Sequence, residues 1–405
     1  MRILLLNSGA IPVPPAYGGG VERHTYRLAS ALARLGAEVD YVTSVGPGAS
    51  FAEGVTVHPL PTFDFRIQSA YPLVAVGQSI GAAAVTRRAR QLLVRHPPDI
   101  VSVHTNATGL GTLGFARARS IHSSFTVHNP TPATLQFDSP WRGTLRRLTY
   151  RTLDDRLMCA TDGLITLNAA MAEELGRRFG PACPPTRAIP LGADLERFDP
   201  AQPPDPATLA RHRVSPGYVL FVGRLLEHKG VHYLLEAARG TPLPLVLVGD
   251  GPERSRLEYQ IQANGMTGQA RLLTDVPHDD LPTLYRGARL LALPSLAEGL
   301  PTVGTEALAA GLPIVASKIP GMEDLVEEGV NGALVPPRDV VALRRALLRY
   351  WEEPSLASSA GARSRLRAVQ RFSWESVARR TLDFYEQILA SGSPEKSLEG
   401  PTHLV

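Results

Sequence analysis

The sequence predicts an α/β protein with two doubly wound domains that face each other across a cleft. Short apolar runs rich in Val, Ile and Leu recur along the 405 residues, and helical stretches separate them. Continuous apolar strands that alternate with helices are typical of parallel sheets covered on both faces. Thirteen such runs are more than one sheet usually holds, so the sequence favours two sheets.

The predicted strands fall into two groups along the chain. The first group comprises Ile3–Asn7, Val39–Thr43, Val55–Leu60, Ile100–His104, Phe125–His128, Leu164–Leu167 and Ala188–Leu191. The second comprises Tyr218–Val222, Leu245–Val248, Ala270–Leu273, Leu290–Leu293, Pro313–Ala316 and Ala333–Val335.

A proline-rich segment, residues 198–208, interrupts the pattern between the two groups. It predicts a first domain over residues 1–197 and a second over residues 209–372. An amphipathic helix at about 374–390 is expected to pack back onto the first domain. Residues 392–405 are predicted to be a disordered tail.

Composition favours a soluble cytoplasmic protein. Hydrophobic residues make up 44% and charged residues 20% of the chain, and no apolar run approaches the length of a membrane span. The start, MRILLLNSGAIP, is predicted to be a first strand rather than a signal peptide. Cys159 and Cys183 have neither a metal-site nor a redox spacing, which suits a reducing cytoplasm. The sequence also has no Asp-x-Asp and no His/Cys cluster with metal spacing, so we expect no bound metal.

The net charge of +4 is unevenly distributed. Residues 1–195 hold 19 Arg, no Lys and 13 acidic residues, whereas the remainder has a slight acidic excess. A basic first half suits an anionic acceptor or an anionic membrane surface. Because interleaved aromatics and finger patterns are missing from the sequence, we expect no nucleic-acid partner.

Ligands of doubly wound sheets bind beyond the carboxyl ends of the strands, and FVGRLLEHKG at 221–230 follows such a strand. Arg224 and Lys229 in this loop could both reach one diphosphate, because Arg offers a planar fork and Lys a compact charge. Lys229 is one of only three lysines, against 39 arginines. The alternative is that both are solvated surface cations.

SLAEGLPTVGTEALAAG at 295–311 places two glutamates eight positions apart. Pro301 disfavours helical geometry at the residue before it, so we expect a loop followed by a helix capped by Thr302 and closed at Gly311. Glu298 then lies in the loop and Glu306 in the first turns of the helix.

An anion can bind the amides at the start of that helix, where Gly304 would remove side-chain bulk. The glutamates should not contact the anion but should accept hydrogen bonds from hydroxyls on either side of it. A nucleoside diphosphate sugar has this layout of ribose, diphosphate and sugar. The alternative is that Glu306 only favours the helix N-terminus and Glu298 is solvated.

Three further motifs follow strands. In VLVGDGPER, Gly249 would let the backbone approach a nucleotide, although this is also an ordinary turn. Gly18–Gly20, which include Gly19, precede a helix near Val21 and leave its N-terminus open to a phosphate or sugar, or form a flexible loop. His104 and His128 at strand ends could bind a sugar hydroxyl, or be structural.

Together these residues resemble the retaining nucleotide-sugar glycosyltransferases of family 4, which have the GT-B fold of two Rossmann-like domains. The resemblance extends along roughly residues 1–390. Its specific part is Glu298-x7-Glu306 with the flanking sequence EGLPTVGTEALAAGLPIVAS, and the glycine loop and His128 are less specific.

The resemblance implies a role for each matching residue. Arg224 and Lys229 would clamp the diphosphate and Glu306 would bind the ribose. Glu298 would contact the transferred sugar, helped by amides near Pro301, Thr302 and Val303. His128, with the loop of Gly19 and Gly20, would lie against the donor. These implied catalytic and donor-binding residues are His128, Arg224, Lys229, Glu298, Gly19, Gly20, Gly249, Pro301, Thr302, Val303 and Glu306.

The resemblance also implies the reaction. A hexose would move from a UDP or GDP sugar to an acceptor, with retained anomeric configuration and without a divalent metal or other cofactor. The acceptor is not identified by the sequence, and a lipid-linked one is a candidate.

Two other functions stay open at this point. One is a nucleotide-sugar epimerase or hydrolase of the same fold, for which Asp99 and Glu22 are scattered acid/base candidates. The other is a non-catalytic nucleotide-sugar-binding subunit, which would be expected to lack a clamp residue.

A membrane contact is also left open. DSPWRGTLRRLTYRTLDDRLM, residues 138–158, reads as a basic amphipathic helix that could lie on the inner face of the membrane. The alternative is that its apolar stripe packs on the first sheet.

Overall fold

The structure, a computed structural model, describes residues 1–9, 11–14, 20–61, 71–128 and 155–392. It forms two compact units: Met1–Pro190 with Trp374–Val405, and Leu191–Ser373. Three sequence predictions lie outside the described residues: Gly18 and Gly19 of the glycine loop, the amphipathic segment 138–158 as far as residue 154, and the tail from residue 393.

The first unit is built on a parallel sheet of seven described strands in the order β3-β2-β1-β4-β5-β6-β7. The strands are β1 Arg2–Leu6, β2 Glu38–Ser44, β3 Val55–Leu60, β4 Ile100–Val103, β5 His122–Val127, β6 Gly163–Thr166 and β7 Thr186–Ala188. The helices of this unit that lie wholly within the described residues include α1 Gly20–Arg34, α2 Tyr71–Arg95, α3 Asn106–Arg117, α4 Ala169–Phe179 and, from the end of the chain, α13 Trp374–Ala390.

Successive residues of β1 point to opposite faces of this sheet, and both faces are covered. Ile3 and Leu5 pack with α1 and α13, whereas Leu4 and Leu6 pack with α2 and α3. Helix α13 lies very close to β6, because a Cβ added to Gly163 would come within 2.4 Å of Ile388 Cδ1. A glycine in this strand therefore allows the last helix to complete the core of the first unit.

The second unit has a parallel sheet of six strands in the order β10-β9-β8-β11-β12-β13. The strands are β8 Tyr218–Val222, β9 Leu245–Val248, β10 Ala270–Leu273, β11 Ala288–Leu293, β12 Ile314–Ser317 and β13 Gly332–Val335. Its helices are α5 Pro206–His212, α6 Val231–Ala238, α7 Arg254–Ala263, α8 Leu281–Gly287, α9 Thr302–Ala309, α10 Met322–Leu325, α11 Val340–Glu352 and α12 Pro354–Arg367. The proline-rich segment 198–208 belongs to this unit, where Asp205 caps α5.

The predicted fold is confirmed: two parallel sheets are interleaved with helices, and each of the thirteen predicted strands overlaps an observed one. The largest shifts are at β5, which begins three residues before Phe125, and at β7, which overlaps its prediction only at Ala188. The first half of β5 is His122, Ser123 and Ser124, which an apolar run does not reveal.

One prediction at α9 is wrong. Thr302 does not cap the helix but is its first residue, and Pro301 holds the cap position with an extended backbone and no side-chain hydrogen bond. Proline suits this place, since it has no amide hydrogen that would need a partner. The end of the helix agrees with the sequence, because Gly311 has a φ of +68° just beyond it.

In the part of the chain that the structure describes, no helix is both long enough and apolar enough to cross a membrane.

Candidate active site

Each sheet has one point where the strand order reverses. In the second unit β8 pairs with β9 on one side and with β11 on the other, and in the first unit β1 lies between β2 and β4. Loops that leave these strands diverge to opposite faces and leave a crevice at the carboxyl edge. Most of the residues that the sequence singled out lie on loops at these two edges.

In the second unit, the loops after β8 and β11 place Lys229 against Glu298. Lys229 Nζ is 2.5 Å from Glu298 Oε1, and Ser295 Oγ donates to the same oxygen at 2.9 Å. Both side chains are largely buried, with exposed fractions of 19% for Lys229 and 11% for Glu298. A buried ion pair with a supporting hydroxyl is a fixed arrangement rather than a pair of solvated surface charges.

Backbone contacts hold the two loops together. The amide of Leu296 donates to the carbonyl oxygen of His228 at 2.7 Å. Gly230 has a φ of +68°, and a Cβ added to it would lie 2.1 Å from the carbonyl oxygen of Pro294. Only glycine fits at this crossing, so Lys229 is set opposite Glu298 by backbone packing as well as by charge.

Glu306 lies in the second turn of α9 and is held by a tyrosine of α8. Tyr285 is buried, and its hydroxyl lies 3.0 Å from Glu306 Oε2 and 3.2 Å from the carbonyl oxygen of Val303. Burial, reinforced by the charge of Glu306, raises the pKa of Tyr285 well above its ordinary value. The phenol therefore stays a hydrogen-bond donor to the carboxylate.

The start of α9 provides amides for an anion. Helix geometry leaves the first amides, beginning at Thr302 and Val303, without intrahelical acceptors. Arg224 lies in the same loop as Lys229, is exposed and forms no ion pair among the described residues. The carboxyl edge of this sheet thus has two cationic side chains and the N-terminus of α9. It also has two carboxylates, which Ser295 and Tyr285 hold in place.

The structure gives a packing reason, which the sequence did not indicate, for a glycine at two positions. A Cβ on Gly304 would lie 2.3 Å from Leu325 Cδ1, so this glycine allows α9 to pack against α10. A Cβ on Gly249, whose φ is +150°, would lie 1.9 Å from the carbonyl oxygen of Gly223. Gly249 therefore serves the close approach of two strand ends, and its contact with a nucleotide stays a prediction.

In the first unit, three imidazoles meet at the carboxyl edge. His24 is one turn into α1, which begins at Gly20, while His104 follows β4 and His128 follows β5. Their ring centroids are 5.2–5.4 Å apart. His104 Nδ1 lies 3.1 Å from His128 Nε2, and a cavity of about 220 Å³ is lined by both residues.

Burial makes these rings neutral. It lowers the pKa of His24 and of His104 well below the ordinary value, and His128 lowers both further by repulsion. Burial also lowers the pKa of His128, a half-buried residue, to about 4. At neutral pH the cluster therefore offers hydrogen-bonding imidazoles and no positive charge.

Neutral imidazoles are also metal ligands, and one nitrogen from each of the three rings lies within 4.8 Å of the others. Sequence spacing did not reveal this group, because His24, His104 and His128 come from three separate elements. No motif marks His24 in the sequence, although GGGVERH places it one turn beyond the glycines. The absence of a metal therefore stays a prediction.

The scattered acid/base candidates are not part of either edge cluster. Asp99 precedes β4, at the opposite edge of the sheet from His104, and accepts the backbone amide of Arg2 at 2.7 Å. Glu22 is buried and accepts the Ser8 hydroxyl at 2.6 Å. Sequence reasoning also missed Tyr285 and Ser295, which hold the two glutamates of the second unit.

Comparison with known proteins gives two family matches. Residues 18–197 match the model described as Glycosyltransferase Family 4, and residues 210–367 match Glycosyl transferases group 1. A glycogen synthase of Mycobacterium tuberculosis is 28% identical over 404 residues, which cover 95% of this chain and 94% of that protein.

Solved structures share the fold. Sucrose-phosphate synthase from Thermosynechococcus elongatus superimposes with a TM-score of 0.76 at 24% identity, covering 96% of this chain and 100% of the other. HepE of Anabaena, solved in complex with UDP and glucose, has a TM-score of 0.68 at 21% identity, with 95% and 99% covered.

The neutral histidine cluster predicts a pH dependence of stability. Unfolded histidines take up protons near pH 6.5, whereas the folded rings resist protonation to about pH 4 for His128. The unfolded state thus binds more protons in this window, so the free energy of unfolding should decrease as the pH falls from about 6.5 towards 4. Urea denaturation at a series of pH values measures this slope.

The matched variants are His104→Asn, in the cluster, and His96→Asn, at an exposed position. The slope between pH 6.5 and 4 should become shallower in the first and be unchanged in the second. Equal slopes in His104→Asn and the unaltered protein would show that the cluster is protonated in the folded state.

Proposed function

The chain belongs to the glycosyltransferases of family 4 with the GT-B fold, and from that premise we propose that it transfers a hexose from a UDP or GDP sugar with retention of anomeric configuration. The observation that carries the proposal is the buried Lys229–Glu298 pair at the carboxyl ends of β8 and β11. It joins the residue implied for the diphosphate to the residue implied for the transferred sugar.

The pair supports an exchange of partners when the donor binds. Glu298, four residues before the start of α9, neutralises Lys229. A diphosphate would bring more negative charge to Lys229 and Arg224 than one carboxylate does, and would also meet the free amides of α9. Ser295 continues to hold Glu298, whose remaining acceptor positions can then take sugar hydroxyls.

Glu306 is suited to the ribose. The Tyr285 hydroxyl fixes one carboxylate oxygen, and a carboxylate has about four acceptor positions in total. Two of them can accept the hydroxyls of a ribose diol, and charge strengthens both bonds. Because Tyr285 is buried and bonded to the carboxylate, it would position Glu306 before the donor arrives.

The reaction that follows from this arrangement depends on the leaving group. As the bond between the anomeric carbon and the diphosphate breaks, negative charge builds on the diphosphate, where Arg224, Lys229 and the α9 amides can stabilise it. These groups need no divalent metal for that purpose. Retention through attack of the acceptor on the same face is part of the proposal and rests on the family.

The donor and acceptor are proposed from chemistry and relatives. HepE in complex with UDP and glucose supports a UDP sugar, and GDP sugars stay within the proposal. Relatives named glycogen synthase and sucrose-phosphate synthase differ in product, so they do not define one acceptor. The basic residues 1–195 support an anionic acceptor, including a lipid-linked one at the inner face of a membrane.

The two alternative functions have less support. Of the two candidates for an epimerase or hydrolase, Asp99 lies at the opposite edge of the sheet from the histidine cluster and accepts the amide of Arg2. Glu22, which is near His24 in α1, is already bonded to Ser8. A non-catalytic subunit would be expected to have lost a clamp residue, and none is missing.

Lys229→Ala should lower kcat/KM for the donor by about 100-fold or more, because it removes a charge that stabilises the leaving diphosphate. Arg224→Ala should act in the same direction. Transfer is measured with labelled UDP and GDP sugars and a panel of lipid and soluble acceptors. Lys318→Ala, at an exposed lysine of the same unit, is the control and should be active. Near-normal transfer by Lys229→Ala would remove the clamp from the proposal.

Substitutions of Glu306 and Glu298 should affect different steps, nucleotide binding in the first case and sugar transfer in the second. Glu306→Gln keeps the shape but loses the charge on the ribose contact, so calorimetry should show weaker binding of the free nucleoside diphosphate. Glu298→Gln should leave that binding near normal and impair sugar transfer. The reverse pattern would exchange the two roles.

Excess EDTA should leave the transfer rate unchanged, because in this proposal Arg224 and Lys229 stabilise the diphosphate in place of a metal ion. The measurement is transfer rate before and after chelation. Loss that Mg²⁺ or Mn²⁺ restores would place a metal at the diphosphate, and loss that only Zn²⁺ restores would place one among the histidines.

A further inference from the structure

A chain of hydrogen bonds leads from the last helix to His128. The buried hydroxyl of Tyr385 on α13 donates to Ser102 Oγ of β4 at 2.6 Å. Ser102 Oγ lies 3.1 Å from His104 Nε2, and His104 Nδ1 lies 3.1 Å from His128 Nε2. Four side chains from one helix, one strand and two loops are thus linked in series.

The number of available protons determines which atom donates in each of these hydrogen bonds. Ser102 Oγ already accepts the Tyr385 proton, and among the described residues the only other partner of this hydroxyl is His104 Nε2. Ser102 is fully buried, so its own proton would lack an acceptor unless it goes to that nitrogen. His104 then carries its proton on Nδ1 and donates it to His128 Nε2.

From this order we propose that Tyr385, Ser102 and His104 are positioning residues that fix His128 as the neutral tautomer with its proton on Nδ1. His128 then presents an N–H donor rather than a bare nitrogen to a ligand. Such a group matches an oxygen of the donor sugar, and this part of the inference rests on the proposed function. The tautomer itself does not.

The tautomer has consequences for rate. A histidine free to exchange its two neutral tautomers would present a donor for only part of the time, and a fixed one is ready before the ligand binds. Because all three rings are neutral, this series of hydrogen bonds persists at pH 7. A protonated His128 Nε2 could not accept a hydrogen bond from His104.

A metal ion is the competing use of the same rings. Its support is His24 Nδ1, which is buried without a partner among the described residues. A metal on all three rings would need a lone pair on each ligating nitrogen. His104 Nδ1 and His128 Nε2 instead face each other at hydrogen-bond distance, which fits one proton between them.

The direct test is long-range ¹H–¹⁵N NMR of the full chain labelled with ¹⁵N-histidine, which distinguishes protonated from bare ring nitrogens. A His128→Gln variant assigns the signals. We expect His128 to be protonated on Nδ1 and bare on Nε2. In Ser102→Ala, His104 loses its donor, so His128 should become a mixture of tautomers.

The structure offers matched controls. Ser124 pairs with Ser102 on the neighbouring strand, is equally buried, and its hydroxyl has no partner among the described residues. Ser124→Ala therefore makes the same chemical change at the same depth and should leave the His128 signals unchanged. Tyr385→Phe should shift them part of the way, whereas Tyr350→Phe, at a buried tyrosine of the second unit, should not.

Kinetics give the second readout. Ser102→Ala should lower kcat/KM for the donor about tenfold, as expected for one neutral hydrogen bond, with Ser124→Ala near normal. A His128 protonated on Nε2, signals that Ser102→Ala does not change, or stoichiometric zinc in the purified protein would each overturn the inference. A failure of the unaltered protein to transfer any sugar would contradict the proposed function but leave the NMR result to decide the tautomer.

Discussion

Direct pairing of β8 with β11 is the constraint on which the site in the second unit depends. Lys229 and Glu298 are 69 residues apart, and they meet because their strands are neighbours that end at the same edge. The strand that follows β8 in sequence is on its other side, so the two loops are not separated by a third. Strand order therefore brings the two charges together. Gly230 lets the loops after β8 and β11 pack closely enough for the side chains to form an ion pair.

In the first unit, the same edge of the sheet contains buried histidines instead of charged side chains. Polar rings at the carboxyl edge of a buried sheet lose their hydration, and this loss is tolerable only where the rings are neutral and bonded. Strand β4 provides Ser102 for this purpose, and α13 provides Tyr385 from nearly 300 positions away. The described edge cluster of the second unit thus contains charged groups, and that of the first unit contains neutral, hydrogen-bonded ones.

The sequence predicted what depends on local pattern and missed what depends on distant packing. Runs of Val, Ile and Leu gave the thirteen strands because a buried parallel strand is apolar on both faces. Arg224, Lys229 and Glu298 could be placed at the carboxyl edge because they follow strand ends, and Glu306 because it lies in the helix that begins there. The meeting of His24 with His104 could not, because no spacing in the chain encodes it.

The same limit applies to the close contacts of two glycines. Leu325 lies beside Gly304 and the backbone of Gly223 beside Gly249, which no local pattern reveals, and the donor contact of Gly249 stays a prediction. Tyr285 and Ser295 carry no motif and matter only through the carboxylates that they hold.

The position of α13 in the chain also affects how the protein is made. The first unit begins at Met1 but lacks part of one face of its core until Trp374–Ala390 has left the ribosome, whereas the second unit is one continuous segment. We therefore expect the second unit to finish folding during synthesis, while the first waits with the surface that α13 covers, which includes β6 at Gly163, still exposed. Its apolar surface is a natural chaperone target in that interval, and a chain truncated before residue 374 would keep that surface permanently.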